Sequence, residues 1–443
     1  MPSRLAALLA DPAPRPGRLW LTNATLFAGT GSAALPGAAV MVEDGQIAEV
    51  VDQAGAVQSQ AEAIDLGGRM LLPGLIDAHA HVFAEPPTPA DGAEPPLPGT
   101  VAHLLRTGLE RALRMGFTTL RDVGSYGDQV VTARQAMRYG AFRGPRLLTC
   151  RRIIAATSPG GRFFEGMYRE ADGPDEIRKA VREQLREGAD FVKVMSTGAR
   201  SVELEDPEPA QLTAAELTAL VEEAHRLGFR VAAHAEGLDG TELAIPCGVD
   251  TIEHGMYLGR RPDLLDAMAE AGQILVPTLS CFYGVAGGEG GSSWTEPLVE
   301  LARFNLVEAD RTLKAARAAG VPIALGHDWQ PFAQAGTELV RMVHHGLSPH
   351  QALTAATGTA ARALGLQHRI GTIEPGKLAD LLVVDGDPLT DPAVLCDRDR
   401  IWLVLQLGEP VAGAALEVRP SSLLGRQLQE GTYGGGFAVA GPD

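Results

Sequence analysis

Six side chains of metal-ligating type stand in distant parts of this chain, five at the ends of short apolar runs and one, Lys193, inside such a run. His79 and His81 occur in DAHAH (77–81) and Lys193 in FVKVMS (191–196). His234 occurs in RVAAHAE (230–236), His254 in DTIEHG (250–255) and Asp328 in PIALGHD (322–328). Strand alternation puts residues i and i+2 on one face, so His79 and His81 point the same way. Taken singly, each residue has an ordinary reading. A strand histidine is commonly a satisfied core residue, a lysine in an apolar run can snorkel or pair with glutamate, and an aspartate at a strand end can cap a helix. Taken together they need another reason, because gathering desolvated polar groups costs free energy unless something satisfies them. A metal does so, since imidazole nitrogen and carboxylate oxygen are what zinc and its neighbours prefer.

Such residues react together only if the fold brings the run ends to one place. Eight apolar runs alternate with helix-length stretches: 72–81, 118–124, 146–154, 191–196, 230–236, 250–255, 274–279 and 322–328. Two of the helices are plainly bounded. AAELTALVEEAHRLG (214–228) follows Thr213 with Glu216 three residues on, a capping box, and stops at Gly228. PDEIRKAVREQLREG (174–188) opens on Pro174 and closes on Gly188. Eight strand–helix units without a Gly-rich phosphate loop point to an α/β fold, a (β/α)8 TIM-type barrel, over a doubly wound open sheet. In a barrel the reactive groups sit at the C-terminal ends of the strands, where the six residues fall.

Strand pattern also appears at 19–29 and 39–51, the latter with Asp44-Gly45 as a hairpin turn, and returns at 379–385 and 401–407. These runs are expected to pair as a small β-sandwich domain built from both chain ends. The implied division is 1–68 for the N-terminal part of that domain, 69–364 for the barrel, 365–420 for the C-terminal part and 421–443 for a loosely held tail.

Composition narrows the function classes. Lys+Arg number 38 and Asp+Glu 55, a net charge of −17, with 45% hydrophobic residues. That is globular composition, and its acidity argues against nucleic acid or an anionic membrane as partner. The N-terminal LAALLA stretch is too short for a signal core and is followed by Asp11-Pro12. A cytoplasmic protein with reduced Cys150, Cys247, Cys281 and Cys396 is expected, since no two of these form a CxxC pair.

The segments PGLIDAHAH (73–81), FVKVMSTG (191–198), HAEG (234–237), TIEHG (251–255), GHD (326–328) and IGTIEPGKLADLLVVDGDP (370–388) resemble the amidohydrolase superfamily. The likeness is strongest to the imidazolonepropionase-like branch, with its prolidase-type dipeptidases and ochratoxinase-like amidases. It implies two divalent metals, zinc by default with manganese or cobalt suiting the same ligands. His79, His81 and Asp328 would hold one, His234 and His254 the other. Lys193 would bridge them as an N-carboxylated lysine, since a free ammonium would repel the cations. The implied reaction is hydrolysis of an amide C–N bond in a small molecule, such as a dipeptide or N-acyl amino acid, by hydroxide generated between the metals. Asp328 would be ligand and proton shuttle at once. Relatives are commonly homo-oligomers, which is the expected assembly.

Softer candidates surround this set. His327, beside Asp328, could touch substrate or serve as packing. Tyr168, in GGRFFEGMYREADG (160–173), could reach substrate, and Arg162, which could pair with a substrate carboxylate, stands where dipeptidase-type relatives carry the histidine of a Gly-Gly-His segment. That exchange makes carbamate, urea-type or aryl-amide substrates an alternative. A mononuclear deaminase is another alternative, although it would want an acid at position 237, which is glycine. Arg121 and Asp122 are expected to form an internal ion pair, 197–211 a flexible lid, and 294–305 the start of a long helix.

Overall fold

The computed structural model describes residues 17–52, 62–83, 97–202, 204–287, 294–328 and 336–417. The N-terminal lead-in and the 421–443 tail lie outside the described residues. The chain opens with β1 (Arg18–Leu26), β2 (Leu35–Glu43), β3 (Gln46–Val51), β4 (Glu62–Asp65) and β5 (Met70–Pro73). Asp44 and Gly45 join β2 to β3 with φ of 49° and 79°. Two successive left-handed residues make the turn whose twist matches an antiparallel hairpin, and Asp-Gly adopts it at low cost.

Parallel strands follow. β6 (Leu75–Ala80), β7 (Phe117–Asp122) and β8 (Arg146–Thr149) form one sheet. β9 (Ile153–Ala155), β10 (Tyr168–Glu170), β11 (Val192–Met195), β12 (Val231–Ala235), β13 (Thr251–His254) and β14 (Ile274–Val276) form another, in the order β10-β9-β11-β12-β13-β14. The expected single strand at 146–154 is therefore two short ones. Its break coincides with Arg151, which sits at φ 66° and cannot continue a ladder.

The expected strand at 322–328 is not a regular strand either, yet it lies between β14 and β6. The Leu275 amide donates to Pro322 O and the Ala324 amide to Leu275 O, both at 2.9 Å. On the other side the Ala78 amide donates to Leu325 O (2.9 Å) and the Asp328 amide to His79 O (2.8 Å). Regularity is lost because the Leu325 amide turns away to the Ala355 carbonyl.

β15 (Leu381–Val384), β16 (Ile401–Gln406) and β17 (Glu409–Ala412) complete the first sheet, in the order β17-β16-β15-β5-β1-β2-β3 with β4 beside β1. The strands expected to form a β-sandwich are thus hydrogen-bonded into a single eight-stranded sheet. It also takes in Met70–Pro73, which the sequence reading gave to the barrel. Its core is apolar, with Leu21, Val40, Leu71, Leu381, Leu403 and Leu405 all fully buried. A buried ion pair, Arg146 to Asp380 at 2.6 Å, ties it to β8.

Helices cover the parallel strands. Helix Ala214–Arg226 begins with the capping box Thr213–Glu216. The other oxygen of Glu216 accepts the Gly173 amide (2.7 Å), ahead of helix Pro174–Arg186, so one carboxylate orders the starts of both. The helix expected from Trp294 runs Glu296–Ala319. All four cysteines are free thiols. Among the described residues, no helix is long and apolar enough to cross a membrane.

Candidate active site

The C-terminal ends of the parallel strands carry the polar cluster. β6 supplies Asp77 and His79, with His81 just beyond. The Asp77 carboxylate accepts the amides of His79 (3.0 Å) and His327 (3.1 Å), stitching β6 to the 322–328 segment. Burial pushes its carboxyl up to about 8.

Each histidine spends one ring nitrogen on a neighbour. Nδ1 of His79 meets Glu253 Oε2 at 2.6 Å, Nδ1 of His81 the Gly124 carbonyl at 2.7 Å, and Nδ1 of His254 the Thr278 hydroxyl at 2.7 Å. His234 differs, since its Nε2 meets the Gly198 carbonyl at 3.1 Å. The lone pair left for a cation is on Nε2 in three of them and on Nδ1 in His234. Asp328 Oδ1 lies 3.0 Å from His79 Nε2 and 3.3 Å from His81 Nε2, and Oδ2 lies 3.8 Å from His254 Nδ1. The His79 and His254 rings are 5.1 Å apart and those of His234 and His254 4.5 Å. One ligand atom each from His79, His254 and Asp328, and likewise from His234, Glu236 and His254, falls within 4.8 Å of the others in its group.

The charges are set by burial and by one another. Burial holds His234 at about 3 and His254 well below the usual imidazole range, so both present neutral rings. Burial opposes ionisation of Asp328, but His79, His81 and His254 outweigh it and hold the carboxyl well below its usual range. Lys193, on β11, is 2% exposed. No hydrogen bond or ion pair among the described residues fixes its Nζ. Burial lowers its pKa against the pull of Glu253 and Asp328. A buried amine with no fixed partner, among neutral imidazoles and a carboxylate, fits the donor set of a metal pair bridged by a lysine carbamate.

Backbone strain marks the same place. His254, Thr278 and Asp328 adopt φ of 71°, 50° and 52°. These are left-handed conformations that cost about 1–3 kcal/mol each outside glycine. The reversal at His254 explains a residue that alternation hides. Glu253 should face away from its neighbour, yet both point inward, and Glu253 ties His79 to Arg121 Nη2 (2.8 Å). Burial raises the Glu253 carboxyl, but Arg121 and His79 prevail and bring it down to about 2. Arg121 therefore pairs with Glu253, not with Asp122 as expected. Its guanidinium also bonds the Ala78 carbonyl and lies 5.2 Å from the Phe191 ring. Asp122 instead accepts from Thr149 Oγ1 (2.6 Å) and the Val82 amide (3.0 Å).

The softer candidates separate. His327 is buried, with its amide held by Asp77. Tyr168 opens β10 rather than lying in a loop; it is buried, and its phenol is pushed up by burial and by Glu205 and Glu236. Arg162 is exposed on the short helix Pro159–Phe163. The 197–211 segment is tied down. Glu205 accepts from Ser158 Oγ (2.6 Å), the Gly160 amide (2.7 Å) and the Ala199 amide (2.9 Å). Position 237 has no room for an acid, since a Cβ there would lie 2.3 Å from Glu208 O.

Glu236, two residues after His234 and on the same strand face, went unnoticed in the sequence, although HAE has the spacing of HAH. Its carboxylate is gripped by Arg200, through Nε at 2.8 Å and through Nη2. Its Oε1 lies 3.6 Å from His234 Nε2, the nitrogen turned to Gly198. Distance alone would make Glu236 a metal ligand. The hydrogen bonding places it on the opposite side of the imidazole from the free lone pair.

Comparison with known proteins agrees with this architecture. Residues 70–411 match the amidohydrolase family model. The chain is 30% identical over 414 residues to ochratoxinase of Aspergillus niger, covering 86% of this chain and 84% of the relative. The crystal structure of A. niger ochratoxinase superposes with a TM-score of 0.79 at 26% identity, covering 91% and 96% of the two chains. That of a Xaa-Pro dipeptidase with methionine in its active site also gives 0.79, at 28% identity over 89% of this chain and 100% of the other. These neighbours imply a TIM-barrel fold of mixed α/β content. The chain belongs to the amidohydrolase family, on its ochratoxinase-like branch, and is a hydrolytic enzyme.

Proposed function

We propose that this enzyme hydrolyses the amide C–N bond of a small molecule such as a dipeptide or an N-acyl amino acid, using two divalent cations at the mouth of a closed barrel. The observation that carries the reading is Lys193: a buried amine with no hydrogen bond or ion pair among the described residues, beside His234, His254 and Asp328. Burial keeps that amine nucleophilic enough to take up carbon dioxide, which turns a repelling cation into an anionic two-oxygen ligand. His79, His81 and Asp328 would hold one cation, His234 and His254 the other, with the Lys193 carbamate shared. Bound there, zinc, manganese or cobalt would lower the pKa of water toward about 7 and polarise the scissile carbonyl.

The chain's own groups do the rest. Glu253 and the Gly124 and Gly198 carbonyls fix the imidazole tautomers. Asp328, ionised and reaching toward both histidine groups, takes the proton of the attacking water and passes it to the departing nitrogen. The clasped 197–211 segment limits access of bulk water to this transfer.

Two measurements test the proposal. Metal analysis of the purified protein should give two equivalents per chain; one would favour a mononuclear deaminase and none a non-catalytic scaffold. A screen of dipeptides, N-acyl amino acids, aryl amides, carbamates and ureas with metal-loaded protein should give turnover in the first two classes, and turnover only in the last two would overturn the assignment.

A further inference from the structure

Arg200 follows Lys193 by seven residues and is drawn into the site rim instead of solvent, its side chain 10% exposed. Three contacts hold its guanidinium rigid. Glu236 Oε2 accepts from both Nε and Nη2, and the Phe282 ring centroid lies 4.1 Å from the guanidinium carbon. The backbone around it is pinned by Glu205 through the Ala199 amide. Yet Nη1 is buried and has no hydrogen-bond partner among the described residues. A buried guanidinium nitrogen left unpaired is costly, so an orphan on an otherwise fully anchored arginine calls for a partner that arrives later.

The geometry says what that partner is. A guanidinium has two forked edges, each matching the two oxygens of a carboxylate. Glu236 occupies the Nε–Nη2 edge with a single oxygen, which leaves the Nη1–Nη2 edge for an incoming anion. The location suits a substrate. Glu236, which Arg200 grips, reaches to 3.6 Å from His234 Nε2, and the Phe282 ring against the guanidinium lies 6.3 Å from the His254 ring. The expected carboxylate partner, Arg162, is instead exposed on its short helix.

We propose that Arg200, held by Glu236 and Phe282, is the specificity-determining residue that binds the free carboxylate of the substrate, so that the enzyme selects N-acyl amino acids and dipeptides with an unblocked C-terminus. This rests on the amidase reading above, but its test does not require turnover. Calorimetric titration of metal-loaded protein with N-acetyl-L-leucine and with its carboxamide reads the preference directly. The acid should bind about 10- to 100-fold more tightly than the amide, the range for a hydrogen-bonded charge pair. Arg200→Gln should bring the two ligands to within about threefold while keeping its metal content. Arg200→Lys, which keeps the charge but loses the fork, should retain only part of the preference, and it decides the matter if the glutamine variant does not fold. An acid preference that survives in either variant at wild-type strength, or is absent from the wild type, overturns the assignment. If the preference is present and depends on Arg200 but neither ligand is cleaved, it is the amidase reading that falls and the carboxylate site that stands.

Discussion

The strand ends at the mouth and the sheet built from the chain ends both exclude water, but from opposite materials. At the mouth Asp77, His79, Lys193, His234, Glu236, Glu253 and His254 are buried, and three non-glycine residues hold left-handed backbone. In the end sheet the core is a cluster of leucine, valine, isoleucine and alanine, joined through one continuous ladder. Buried charge and backbone strain work against folding, whereas apolar burial favours it at about 25 cal/mol per Å². The difference teaches that the mouth is kept for its reactivity and borrows stability from regions such as the end sheet. Changes in the two regions should therefore separate activity from stability.

The sharpest break is expected at Asp328. Asp328→Asn keeps the shape and removes the base, so kcat should fall by about 10²–10⁴-fold while the protein stays folded and keeps much of its metal. Normal turnover by this variant would contradict the proton-shuttle role. Lys193→Ala should lose bound metal, and added short carboxylic acids should restore part of it by standing in for the carbamate oxygens; metal retained at wild-type level would remove the bridge from the mechanism.

The end sheet should show the reverse. Leu403→Ala in β16 should cost about 2–5 kcal/mol of stability in denaturant unfolding, with kcat/KM of the folded enzyme unchanged. A loss of activity at full folding would mean that the two regions are coupled. Glu253→Gln lies between these extremes. It should weaken metal binding about 10–100-fold by leaving His79 less firmly oriented, measured by competition with a chelator.

Local pattern carried much of this molecule. The Asp44-Gly45 turn and the Thr213–Glu216 box are each contained in a few adjacent residues, and both formed where the residues indicated, as did most of the apolar runs. The placement of the histidines and Asp328 at run ends, and of Lys193 within a run, was equally legible, because parallel strands send their C-termini to one side. The irregular 322–328 segment, the divided third strand and the entry of Met70–Pro73 into the end sheet were not, since each depends on which distant carbonyl an amide finds.

What the sequence determined by itself was the supply of ligand-type side chains and the order of the elements that present them, because both follow from residue type and short-range periodicity. Only the tertiary structure decided the orientation and support of those side chains. His254 joins Glu253 on the inner face because its backbone is left-handed, Arg121 chooses Glu253 over its neighbour, and Arg200 packs on Phe282 against Glu236. Their partners lie far off in the chain, and no local spacing encodes a contact that exists only after the strands have come together.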